Sequence, residues 1–247
     1  MRGIQLAVHW SFLLLLGYVA WDGYRDAGIG GAWWGSAELL GFFTCIVLHE
    51  LGHSLTAMRF GVTVRRILLL PIGGMAEFDQ IPRSPRQELL ITVAGPAVNF
   101  VIAAFIWAVH RPAGVSGLAT PANWGEYFEI LMYWNLVIGV FNLIPAFPMD
   151  GGRILRAGLA FKLPYARATF WAATVGKVVC VLGIIAGLCT GRWLMFLLFL
   201  FIVSVGEMEY RSVLARERRE AEWAEYARRA ERPDPDAPTE PPFLGPT

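Results

Sequence analysis

Charge is scarce in this chain. Only 17% of its 247 residues are Asp, Glu, Lys or Arg, against 55% hydrophobic residues, and the mean hydropathy is +0.48. That balance excludes an ordinary water-soluble domain. Acids are especially few: of 20, ten fall beyond residue 206, which leaves the first 206 residues ten acids against fourteen bases. A net charge of +1 gives no sign of a nucleic-acid partner. Cysteine is sparse as well. Cys45, Cys180 and Cys189 fall in apolar runs without CxxC spacing, and an odd number argues against a disulfide framework, so each reads as a small packing residue. No small-residue cleavage site follows the first apolar run, because Trp21–Arg25 is bulky and charged. That run is therefore expected to stay as a first span. No internal repeat is visible.

What the chain has is long apolar runs. A helical span needs about twenty apolar residues. Such runs lie at roughly Ile4–Ala20, Glu38–Phe60, Leu89–Val109, Tyr127–Ile144, Phe170–Cys189 and Trp193–Gly206. The expected fold is an all-α polytopic membrane protein of about six spans. Lys177, inside the fifth, must face a polar interior or snorkel. Bases gather between spans two and three (Arg59, Arg65, Arg66, Arg83, Arg86), between spans four and five (Arg153, Arg156, Lys162, Arg167), and in the tail. The positive-inside rule then places both termini in the cytoplasm.

Between spans two and three, Val62–Phe78 reads VTVRRILLLPIGGMAEF, β-branched and apolar residues broken by a Pro and by Gly73-Gly74. Too short to span, it predicts a membrane-dipping β-hairpin. Glu207–Arg232 alternates acids and bases at helical spacing and reads as a solvated helix. Pro233–Thr247 holds six Pro in fifteen residues and is expected to be disordered.

Chemistry concentrates in span two, at Cys45-Ile-Val-Leu-His49-Glu50-Leu-Gly-His53. Two His four apart stand one turn apart on one helical face, so both imidazoles can reach one metal. Glu50 is rotated by about 60° from His53 in projection. It can lie beside a metal without joining its coordination sphere, as the base for a metal-activated water must. An exposed charged turn would explain such a motif in a soluble helix. Inside a span, three ionisable residues within five positions leave a structural polar cluster as the weaker alternative to metal binding. Cys45 shares the stripe, but it is eight residues from His53, about 12 Å of helical rise. Cys45 and His53 cannot both bind one ion.

Catalytic zinc takes three protein ligands and keeps one position open. Candidates for the third are Asp22, Asp26, Glu38, Glu77, Asp79, Glu88, Glu126, Glu129 and Asp150. Most sit in loops or at span ends, where a solvated charge is the simpler reading. Asp150 differs, because it follows span four in FNLIPAFPMDGGR, where two Pro and two Gly free the backbone to turn a carboxylate inward.

HELGH in span two with FNLIPAFPMDGGRILR after span four resembles the site-2 protease family of intramembrane zinc metalloproteases. GIQLAVHWSFLL, LLLPIGGMAEF and AGPAVN look like further family segments, and together they cover most of residues 3–156. The resemblance implies zinc held by His49, His53 and Asp150, with Glu50 activating water. It implies that Asn142 helps hold the substrate backbone or the developing oxyanion. It also implies that Gly73-Gly74 presents a strand edge to an unwound transmembrane substrate. No PDZ-like insertion or CBS pair is recognised, so those regulatory modes are expected to be absent. The expected organisation is a transmembrane metalloprotease domain over residues 1–206, a charged cytoplasmic helix over 207–232 and the Pro-rich tail over 233–247. Expected partners are the lipid bilayer and a single-span regulator as substrate.

Other readings stay open. A membrane metal transporter or sensor could use the same ligands, but it would need further acids or His along a path, and only one compact cluster is present. A helix-holding pseudoenzyme would not need Glu50. His9 reads as an interfacial hydrogen-bonding or packing residue before it reads as a ligand or substrate contact. Asn99 reads equally as glue between helices and as a site residue.

Overall fold

The computed structural model describes residues 4–71, 73–78, 84–110 and 120–230. Contacts divide the chain into two units, residues 1–144 with 149–158, and residues 145–148 with 159–247.

In the first unit, β1 (Gln5–Val8) leads into α1 (Trp10–Arg59). His9 caps the helix, its Nδ1 accepting from the Ser11 N–H at 3.3 Å. A straight helix of 50 residues would be about 75 Å long. Instead the backbone leaves helical geometry at Ala27 and at Gly28, whose φ is 62°, a value that suits glycine. Residues 10–26 then fold back along residues 29–59. Phe12 and Phe43 meet edge to face at 4.8 Å between ring centroids, and the backbones approach closely at Gly23 and Gly31.

Next come β2 (Val64–Leu70) and β3 (Gly73–Phe78), antiparallel, with Arg66 opposite Glu77. One expectation is corrected here. The first apolar run does not begin as helix at Ile4, because Gln5–Val8 pairs in parallel with β2. This strand adds to the β2–β3 hairpin, giving a three-stranded sheet in the order β1-β2-β3. Hydropathy could not separate this strand from the helix it adjoins; a partner about sixty residues away decided it.

α2 (Pro85–His110) and α3 (Trp124–Asn142) complete the unit with most of α4 (Asp150–Ala160). At the start of α3 the Asn123 side chain accepts from the Glu126 N–H at 3.0 Å, and the Glu126 carboxylate accepts from the Ala122 N–H at 2.8 Å. This reciprocal cap fixes the helix start. α2 runs antiparallel to the second arm of α1, where Gly52 lies close against the Ala94 carbonyl. Its surface is inverted relative to a soluble helix. Leu90, Val101, Phe105 and Trp107 are exposed, while Glu88, Thr92 and Asn99 are buried. Apolar residues outside and polar residues inside suit a hydrocarbon solvent.

In the second unit, α5 (Tyr165–Cys189) and α6 (Trp193–Ala230) form an antiparallel pair. They approach closely where Gly183 lies under the Phe199 ring and Gly187 against the Phe196 backbone. Lys177 finds its partner here, 2.6 Å from Glu207 Oε2. α6 continues unbroken from its apolar part into the charged segment that follows Gly206. The Pro-rich segment 233–247 lies outside the described residues.

Among the described residues, four helices are long and apolar enough to cross a membrane: α1, α2, α5 and α6. α3, 19 residues long and carrying Glu126, Glu129 and Asn135, is not among them.

Candidate metal centre

Three elements of the first unit bring the site together. The second arm of α1 carries His49, Glu50 and His53, and α4 opens on Asp150. α2 packs across the imidazoles. One ligand atom from each of His49, His53 and Asp150 lies within 4.8 Å of the other two, and all three residues are buried. Asp150 Oδ2 is 3.2 Å from Nε2 of both histidines, and the two Nε2 atoms are 3.1 Å apart.

The outer nitrogens settle the protons. His53 Nδ1 lies 2.8 Å from the Ile91 carbonyl, which can only accept, so Nδ1 carries a proton and donates. His49 Nδ1 lies 2.6 Å from Asn99 Oδ1 and donates likewise. With each ring neutral, both Nε2 atoms aim lone pairs at Asp150 Oδ2, 3.2 Å away. Three acceptors at van der Waals distance repel unless a cation sits among them. A proton on one imidazole would serve only part of the triangle; a metal ion serves all three sides. Donors about 2.0–2.1 Å from a tetrahedral zinc stand about 3.3 Å apart, close to the separations of 3.1 and 3.2 Å seen here. The residues fit the metal.

Glu50 is half-buried and lies within electrostatic reach of His49, His53 and Asp150. β3 comes alongside it: a Cβ on Gly74 would stand 3.0 Å from Glu50 Cγ. Gly73, with φ of 140°, has open space around it. Asn142 ends α3, and its side-chain amide donates to the Ile138 carbonyl one turn back at 3.0 Å. Cys45 stands outside the cluster, 3.0 Å from Asn135 Nδ2.

The sequence reading overlooked three features. Gly95 leaves room for the imidazoles, because a Cβ there would strike the His53 imidazole and come within 2.9 Å of His49 Cε1. Asn135 is fully buried and bonded to Asn99; a polar residue in an expected span was its visible signal. Glu88, read as a solvated charge, is buried, and its Oε1 accepts from Arg156 Nε at 2.8 Å. This pair ties α2 to α4, the helix that carries Asp150.

Residues 37–114 and 113–184 match the sequence model of peptidase family M50. A zinc metalloprotease of Methanocaldococcus jannaschii is 39% identical over 211 residues, which cover 85% of this chain and 59% of the relative. Stage IV sporulation protein FB of Bacillus subtilis is 29% identical over 185 residues, 70% of this chain and 59% of that protein. The shared region is thus little more than half the length of either relative. A solved structure, the site-2 protease from Methanocaldococcus jannaschii, matches with a TM-score of 0.59 and 37% identity, covering 85% of this chain and 92% of the other. With the family model spanning the histidine pair, Asp150 and the helices between them, the chain belongs to peptidase family M50, the site-2 protease family.

Proposed function

We propose that this chain is an intramembrane zinc metalloprotease, cutting a peptide bond within or near a transmembrane segment of another membrane protein. The observation that carries this reading is the meeting of three lone-pair donors, from His49, His53 and Asp150, beside the carboxylate of Glu50. His49, His53 and Asp150 would hold the metal. When bound, zinc supplies a Lewis acid for the scissile carbonyl and lowers the pKa of water to about 7. Glu50 takes the proton from the attacking water and delivers it to the leaving amine. Asn142 would swing its amide from Ile138 towards the substrate backbone or the developing negative oxygen.

A transmembrane helix hides its carbonyls in its own hydrogen bonds, so it must unwind before it is cut. β3 is an edge strand, and its Gly73-Gly74 end lies next to Glu50. Strand addition there would hold an unwound substrate in extended form. The two arms of α1 with α2, α3, α5 and α6 would make six spans in the cell membrane, with both termini cytoplasmic. The substrate is then a single-span regulator, cut in regulated intramembrane proteolysis.

The test is cleavage of a single-span substrate in proteoliposomes by wild type and Glu50→Gln, with zinc content measured in both. The expected result is loss of cleavage with zinc retained. Unchanged cleavage by zinc-loaded Glu50→Gln would refute the mechanism.

A further inference from the structure

His53 and His49 are oriented by different means. The Nδ1–H of His53 meets a backbone carbonyl, whereas that of His49 meets a side chain at the end of a relay. Asn99 Oδ1 lies 2.6 Å from His49 Nδ1, Asn99 Nδ2 donates to Asn135 Oδ1 at 2.9 Å, and Asn135 Nδ2 donates to the Leu131 carbonyl at 2.8 Å. The same Nδ2 is 3.0 Å from Cys45 Sγ. Both asparagines are 0% exposed.

This relay has one polarity. Leu131 offers a carbonyl, which cannot donate, so Asn135 must present its NH2 there and its Oδ1 to Asn99. Asn99 then presents NH2 to Asn135 and Oδ1 to His49. The imidazole must place its proton on Nδ1. A backbone carbonyl on α3 thereby dictates, through two side chains, which nitrogen of a residue on α1 keeps a free lone pair. Simple adhesion between helices would need the Asn99–Asn135 bond but no defined direction at its far end.

We propose that Asn99 and Asn135 are positioning residues that lock His49 as its Nδ1–H tautomer and keep its Nε2 lone pair aimed into the metal site. Without the lock, a neutral imidazole samples both tautomers, and the Nε2–H form puts a proton where the ion belongs. The inference rests on the proposed zinc site.

The experiment uses the full chain in detergent and measures zinc affinity by chelator competition. Nitrogen-15 spectra of the histidines, four in all, report their tautomers in the metal-free protein. Asn99→Leu and Asn135→Leu are expected to weaken zinc binding by about 10–100-fold, the usual cost of losing an outer-shell partner. In both, His49 should lose its pure Nδ1–H signature. As a buried neutral acid, Asn99→Asp keeps a carbonyl acceptor for His49 Nδ1–H and an O–H that donates to Asn135 Oδ1, so it should restore affinity to within about threefold of wild type. Asn135→Asp, likewise neutral when buried, keeps an acceptor for Asn99 Nδ2 and an O–H donor for the Leu131 carbonyl and should do the same, even if Asn135→Leu fails to fold. Wild-type zinc affinity and tautomer in folded Asn135→Leu would overturn the proposal and leave the pair as helix adhesion. Loss of zinc in both folded Asp variants would also overturn it. Failure of the wild type itself to bind zinc would overturn the site on which the proposal stands.

Discussion

Gly95→Ala adds one methyl group on α2, directly over the imidazoles. The new Cβ would stand 2.9 Å from His49 Cε1 and closer still to His53 Nε2 and Cε1. Carbon atoms in ordinary contact are about 3.5–4.0 Å apart, so at least one ring must retreat by about 1 Å. Metal sites hold ligand distances to about 0.2 Å, and a displaced ligand is lost to the ion. Zinc affinity should therefore fall by more than the roughly 10–100-fold typical of outer-shell changes. Overpacking should also lower stability by about 1–3 kcal/mol. Gly158→Ala on α4 is the control, since its Cβ would meet nothing within 4 Å. It should leave zinc binding unchanged and raise stability by about 0.4–1 kcal/mol. Chelator competition and thermal unfolding in one detergent measure both effects. Folded Gly95→Ala with zinc affinity within threefold of wild type would refute the packing of the imidazoles against this glycine.

Asp150→Asn keeps the shape of the third ligand but removes its charge, and zinc content should drop sharply; full occupancy would exclude Asp150 from the ligand set. Arg156→Met takes a partner from buried Glu88 and should cost roughly 3–5 kcal/mol, whereas the double change with Glu88→Gln should recover most of it. Strictly additive losses in thermal or denaturant unfolding would show that the pair is not coupled. Gly74→Val places methyl groups where a Cβ already stands 3.0 Å from Glu50 Cγ and Ile46 Cγ2. Cleavage of a single-span substrate should fall with zinc retained, and unchanged cleavage would separate β3 from the site.

Much of the site was legible because its first half is local. Two His four apart share a helical face whatever the rest of the fold does. The broken segment after α3 marked Asp150 because Pro and Gly announce non-helical backbone. Glu88 was misread because burial depends on a partner 68 positions away. The strand at Gln5–Val8 was read as the start of a helix because its pairing with Arg66–Leu69 leaves no trace in local hydropathy. Gly95 gave no sign of its role, since nothing in its neighbours along the chain says that imidazoles will lie above it.

The sequence alone determined that this chain carries apolar helices long enough for a membrane and a histidine pair on one helical face. Both are properties of a helix considered by itself. Tertiary structure decided the rest: that Asp150 completes the triangle, that Asn99, 50 positions from His49, stands within hydrogen-bond distance of its Nδ1, and that an edge strand lies beside Glu50. Each of these depends on hydrogen bonds and contacts between distant residues, and only the packed fold brings those residues together.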